Sequence, residues 1–170
     1  MIPETGTKTK WENLGVGDLG ATRQAGTGLK TYALGSCVAL MLLDPKTHCV
    51  SMAHVALPES SIGPERAKQY PGHFADTAVP ALLQAMKRSG ACGEHRRYIV
   101  KIVGGANVAD PKNTFNIGKR NALAIRKALW AQGMGPSAED IGGSLSRTVS
   151  LEVDTGIVFV SSPGRPDWRV

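Results

Sequence analysis

Blocks of apolar residues separated by short polar or glycine-rich breaks run along nearly the whole chain, and their periods differ from block to block. Residues 36–43 (SCVALMLL) form a continuous apolar run of strand length. Asp44-Pro45-Lys46-Thr47 then supplies turn chemistry, and residues 48–54 (HCVSMAH) read as a returning strand, which predicts a β-hairpin. Further on, Val79, Leu82, Leu83 and Met86 follow the i, i+3, i+4, i+7 spacing of a helix with one buried face. Asp76 is placed as its N-cap, Pro80 falls in its first turn, and Gly90 marks its end. Residues 98–103 (YIVKIV) predict a buried strand broken by Gly104-Gly105. A second helix is expected over 117–132, with Ile125, Ala128 and Leu129 inward and Gly133 as its stop. Val149, Leu151 and Val153 alternate with polar residues, Asp154-Thr155-Gly156 makes a turn, and residues 157–160 return.

The remaining segments read as connections. Residues 1–14 are polar and predict a flexible arm, 15–27 an edge strand with turns, 57–74 a loop, and 163–170 a tail. Strands, then helix–strand–helix, then strands again imply one α+β domain over 15–162, with helices packed on sheet.

The hairpin carries the candidate chemistry. A symmetric loop of two or four residues pairs Leu43 with His48, and the same register sets Cys37 opposite His54. Opposed residues of an antiparallel pair have Cβ atoms about 4.5–5.5 Å apart on one face. A loop of three or five residues slips the register by one and loses the pairing. A thiol beside an imidazole suggests a nucleophile whose thiolate fraction the histidine raises as an ion pair. Each residue also has a plainer reading: Cys37 as a small core hydrophobe, His54 as a hydrogen-bonded structural residue, Thr31 as an ordinary strand residue.

Composition narrows the classes. At 170 residues the chain suffices for one domain with a real core. Three cysteines, none in a CxxC pair, exclude a complete disulfide framework and speak against a zinc ribbon or thioredoxin-type site. No apolar run approaches the ~18 residues of a membrane span, and the N-terminus lacks a signal-peptide core, so a cytoplasmic setting is expected. The net charge of +6 favours an acidic partner. Its basic pairs (Lys87-Arg88, Arg96-Arg97, Lys119-Arg120) lie on separate segments without any nucleic-acid-binding pattern, so nucleic acid is not the expected partner. Cys92 and His95 have no second ligand pair, and Gly104-Gly105 lacks the residues of a phosphate loop, so neither metal nor cofactor is expected. Cys49 reads as packing, and Asn107 and Arg120-Asn121 as caps.

Several ordered motifs resemble the CheD family of chemoreceptor glutamine deamidases. They are TYALGSCVA (31–39), MAHVALP (52–58), ADTAVP (75–80), KIVGGAN (101–107), IGKRN (117–121) and EDIGG (139–143), followed by Arg147 and the 154–156 turn. The resemblance spans about residues 15 to 160. It implies a CheD-like fold, mixed and antiparallel β-sheets in a sandwich flanked by helices, related in its catalytic core to glutamine-deamidating bacterial toxins. It implies Cys37 as nucleophile, His54 as base and Thr31 as the residue that orients the imidazole; separately, Gly35 permits a tight turn that exposes N–H groups, which makes the Gly35-Ser36-Cys37 backbone the candidate source of oxyanion donors. The implied substrates are glutamines on the cytoplasmic helices of methyl-accepting chemotaxis receptors, and the implied second partner is the phosphatase CheC. Two other classes stay open: a transglutaminase or thiol protease, which shares the thioester step, and a non-catalytic chemotaxis adaptor that binds receptor or CheC.

Overall fold

A computed structural model describes residues 8–110, 112 and 114–170. In chain order the elements are β1 (Lys10–Leu14), β2 (Leu19–Thr22), β3 (Thr27–Leu34), β4 (Val38–Leu43), β5 (Val50–Val55), α1 (Pro64–Gln69), α2 (Ala75–Arg88), β6 (Ile99–Gly104), α3 (Ile117–Ala131), β7 (Ala138–Ile141), β8 (Arg147–Glu152), β9 (Val158–Ser161) and β10 (Trp168–Arg169). The strands form two five-stranded sheets, ordered β1-β3-β8-β9-β10 and β2-β5-β4-β6-β7. The β1–β3 and β6–β7 pairs are parallel and the rest antiparallel. This is the α+β architecture with mixed sheets that the element order predicts.

The continuous apolar run of β4 has a simple cause: its sheet is covered on both faces. Val38, Leu40 and Leu42 join Ala53 and Val55 of β5 in a core closed by α2 and α3, through Ala78, Leu82, Met86, Ile125 and Leu129. The alternate residues Ala39 and Met41, with Val50 and Met52, face the other sheet and pack on Leu29, Leu34, Val149 and Val160. A strand buried on both faces has no polar side to show, so its alternation disappears from the sequence.

The hairpin forms, but its register differs from the expected one. Leu43 pairs with Val50 and Ala39 with His54, so the connection runs over six residues, 44–49, rather than four. Asp44 explains the longer turn. Its fully buried carboxylate accepts Lys46 N–H at 2.9 Å, the Thr47 hydroxyl at 2.8 Å, and the N–H groups of Cys92 and Gly93 at 3.1 and 3.0 Å. His48 takes a left-handed φ of 60° to complete the loop. Burial alone would raise the Asp44 pKa, but these four donors hold it below the usual carboxylate value. The shift relative to the expected pairing is two residues, an even number, so every side chain keeps its face.

Other differences are local. Asp76 is not the N-cap of α2: Phe74 occupies that position, and the Asp76 carboxylate accepts from Ser60 N–H at 3.0 Å and the Ser60 hydroxyl at 2.7 Å. Pro80 accordingly falls in the second turn, on the exposed side. The segment read as a loop contains α1. Lys10–Leu14, assigned above to the arm, is a strand, while residues 1–7 of that arm lie outside the described residues. The tail contributes β10, anchored by Trp168 Nε1–H donating to Asp140 at 2.8 Å.

Asp44→Ala leaves four donors without their acceptor in a closed turn. Its expected cost is about 2–3 kcal/mol of unfolding free energy, measured as a lower urea midpoint with an unchanged slope.

Candidate active site

Thr31 on β3 and His54 on β5 belong to different sheets and meet in the space between them. Both are buried, and Thr31 Oγ1 lies 2.7 Å from His54 Nδ1. The same hydroxyl donates to the Leu14 carbonyl at 2.8 Å. A hydroxyl has one proton, so a hydroxyl committed to Leu14 can only accept from the imidazole. Nδ1 therefore carries the ring proton, and Nε2 presents a lone pair. The backbone holds the ring as well: Gly17 N–H donates to His54 O at 2.9 Å, and His54 N–H to Asp18 O at 3.0 Å.

Cys37 lies one residue before β4, partly buried against the core between the sheets. By the parity of Ala39 and Met41 it faces the His54 side. Extended one residue beyond both strands, the observed register sets Cys37 opposite Ala56, so His54 is its diagonal neighbour, a relation that separates Cα atoms by roughly 7–8 Å. Among the described residues no hydrogen bond joins the thiol to the imidazole. Burial pushes the Cys37 thiol up and pushes His54 down to about 4, the latter against the nearby Asp18 carboxylate and with help from His73. Both groups therefore rest neutral at pH 7, and the expected ion pair is not the resting state.

The backbone around Cys37 is turned to one side. Ala106 N–H donates to Gly35 O at 2.8 Å, Asn121 Nδ2 to Ser36 O at 3.0 Å, and Gly105 N–H to Cys37 O at 2.9 Å. A regular β4–β6 ladder would return the last bond from Cys37 N–H to Gly105 O. Instead Gly104 and Gly105 adopt φ of 122° and 61°, and the Gly105 carbonyl turns against Gly118 of α3. Only residues without a Cβ take that path easily, and a Cβ on Gly118 would run into the Gly105 carbonyl. The ladder thus ends at Cys37, whose N–H has no backbone acceptor among the described residues and lies against its own sulfur. A cavity of about 540 Å³ opens beside this segment, walled by Gly35, Ser36, Gly105, Phe115, Gly118 and Gly143. Ser36 lines it, while Cys37, Thr31 and His54 do not.

Asn121 differs from its expected role as a cap. It lies inside α3, fully buried, and its Nδ2 donates both to Ser36 O and to Ala56 O, each at 3.0 Å. The sequence did carry a signal for this, because Asn121, Ile125 and Leu129 recur at i+4 on the inward stripe, where a polar residue needs a partner. Cys49 packs against the helices as expected, and His95 contacts the Gln132 carbonyl through Nε2 at 2.9 Å.

Comparison with known proteins converges on one family. The model of the CheD family, described as CheD chemotactic sensory transduction, matches residues 56–162. The chain belongs to the CheD family. A CheD of Syntrophotalea carbinolica, named a probable chemoreceptor glutamine deamidase, is 52% identical over 157 residues, covering 92% of this chain and 97% of that protein. The chemoreceptor glutamine deamidase CheD of Thermotoga maritima is 38% identical over 151 residues, covering 89% and 91%. An archaeal CheD, from Archaeoglobus fulgidus, is 38% identical and covers 91% and 96%. The matched CheD region begins after His54, so Thr31, Cys37 and His54 lie outside it.

The tautomer and the buried neutral ring can both be read out. Side-chain ¹⁵N NMR is expected to show His54 neutral with Nδ1 protonated at pH 5.5. An unfolded chain would take up that proton near the ordinary value of 6.5, whereas the fold resists until about 4. Stability is therefore intact above 6.5 and falls as pH drops from 6.5 toward 4, as urea unfolding across that range would record. His73, whose pKa burial also lowers, acts in the same direction.

Proposed function

We propose that this protein hydrolyses glutamine side chains of chemotaxis receptors to glutamate through a thioester on Cys37. The observation that carries the reading is the Thr31–His54 bond, which fixes the tautomer so that the unprotonated Nε2 is left for proton transfer. The names of the relatives supply the substrate class, chemoreceptor glutamine.

The chemistry follows from the neutral resting pair. An amide resists attack by water, and a neutral thiol is a weak nucleophile. Cys37 Sγ attacks the glutamine Cδ as its proton passes to His54 Nε2, so base catalysis and bond formation occur together. The amide oxygen becomes an oxyanion, for which the Cys37 N–H, without a backbone acceptor of its own, is the candidate donor. Collapse of that intermediate breaks the C–N bond, and the imidazolium gives its proton to the departing nitrogen as ammonia. The γ-glutamyl thioester remains. Water then attacks its carbonyl carbon, losing a proton to His54, and the C–S bond breaks to give glutamate while that proton returns to sulfur. The sum is one amide and one water converted to one carboxylic acid and one ammonia. Thr31 stabilises the transient imidazolium only as a neutral acceptor, less than an aspartate would.

Receptor helices present glutamine on a surface, and the cavity lined by Ser36, the residue before Cys37, is the candidate approach for such a side chain. A CheC-type phosphatase is the second partner, in keeping with the family resemblance. If receptor binding persists without chemistry, the adaptor reading replaces the enzymatic one.

Purified receptor cytoplasmic fragments incubated with the protein are expected to gain about 1 Da at specific glutamines, as amide gives way to acid through the acyl-enzyme. Cys37→Ala should abolish the gain. Thr31→Val should lower kcat about 10- to 100-fold by releasing the ring. The acid limb of kcat/KM should fall well below 6.5, toward the His54 value of about 4. Wild-type protein that binds the fragment but leaves its mass unchanged would refute the reading.

A further inference from the structure

Asn121 does more than satisfy a buried pair of carbonyls. Its two acceptors flank the proposed reacting groups: Ser36 O belongs to the peptide that enters Cys37, and Ala56 O lies two residues past His54. Both contacts are carbonyl oxygens, so the nitrogen of the amide must face them. That orientation leaves Asn121 Oδ1 buried without a hydrogen-bond partner among the described residues. A residue kept for volume alone would be apolar here, as Ala122, Ile125 and Leu129 of the same helix are.

The Ser36–Cys37 peptide is trans, as are all described peptide bonds, and it is planar. Its C=O and N–H therefore point in opposite directions. Asn121 draws Ser36 O toward α3, so Cys37 N–H is aimed away from α3, on the side where that N–H meets its own sulfur. A carbonyl carbon attacked by this sulfur would develop its oxyanion within reach of the same N–H.

We propose that Asn121 is a positioning residue for the oxyanion: its side-chain amide locks the Ser36–Cys37 peptide plane and so sets the direction of the Cys37 N–H donor. The Ala56 bond ties the clamp to the strand that carries His54, so nucleophile and base share one anchor on α3. Neither Asn121 atom contacts the substrate. The inference rests on the Cys37 thioester reading.

Two reactions of the same thiol separate the clamp from general damage. Deamidation passes through an oxyanion, whereas alkylation of Cys37 by iodoacetamide displaces iodide at a saturated carbon and forms none. For Asn121→Ala, kcat for deamidation of the receptor fragment should fall about 100-fold, with KM within about threefold of wild type. Cys37 alkylation, followed by peptide mass spectrometry at a pH high enough to ionise the thiol in both proteins, should keep its rate within about threefold of wild type. Asn121→Leu keeps the volume without the donors, so it should reproduce the split, and it carries the comparison if Asn121→Ala does not fold. Equal losses in both reactions, or a kcat per folded molecule within about twofold of wild type, would overturn the clamp. Cys37→Ala run in parallel isolates the underlying reading. Deamidation surviving in that variant would remove the thioester mechanism whatever Asn121 does.

Discussion

The Thr31 hydroxyl, held between the Leu14 carbonyl and the His54 ring, is the contact on which the site depends. A hydroxyl in water would sample both roles toward an imidazole, and the ring would sample both tautomers. Here the Leu14 carbonyl takes the only proton, and that carbonyl is available because β1 lies parallel to β3, with Leu14 beside Thr31. An edge strand thus determines which imidazole nitrogen carries the proton. Without β1 the hydroxyl proton could turn to His54 Nδ1, and the lone pair would be on the wrong side.

The second constraint is the sheet buried on both faces. Because β4 and β5 carry helices on one side and a second sheet on the other, each residue has a fixed destination by parity. Ala53 and Val55 go to the helices, and Val50, Met52 and His54 to the interior of the sandwich. This rule made the Cys37–His54 relation partly legible in the sequence. The apolar runs and turn residues predicted the hairpin, and the face of each side chain survived a register error of two. The loop length did not survive, because it is set by Asp44 binding Cys92 and Gly93 nearly fifty residues away. No local pattern encodes such a contact.

The same distinction separates the other readings. Helix α2, strand β6, helix α3 and the β8–β9 hairpin were visible because each carries its own period and its own stop, as with Gly133 after α3. Strands β1, β7 and β10 were not, because each is short, partly exposed and defined by the neighbour it pairs with. The family motifs identified Thr31, Cys37 and His54 as a set, yet the geometry alone shows how Thr31 can fix the ring. Asn121 stands in a motif too, but a polar residue near a helix start suggests a cap. Its place on the stripe of Ile125 and Leu129 was the better guide.

Burial gives the proposed chemistry its character. A charged orienter in place of Thr31 would have to be desolvated between two sheets, a cost of several kcal/mol that a lone imidazolium would not offset at rest. With a neutral orienter, a buried ring and a half-buried thiol, no charge is carried until a substrate arrives. The consequence is selectivity of a particular kind. A preformed thiolate reacts with any accessible electrophile or oxidant, whereas a neutral pair must move its proton during the attack itself. Only a substrate whose carbonyl carbon meets Cys37 while its oxygen meets an aimed N–H gains from that motion. Chemical restraint in the resting site and stabilisation in the reacting one would then come from the same feature, a backbone whose carbonyls at Gly35, Ser36 and Cys37 are bonded while the Cys37 N–H has no backbone acceptor among the described residues.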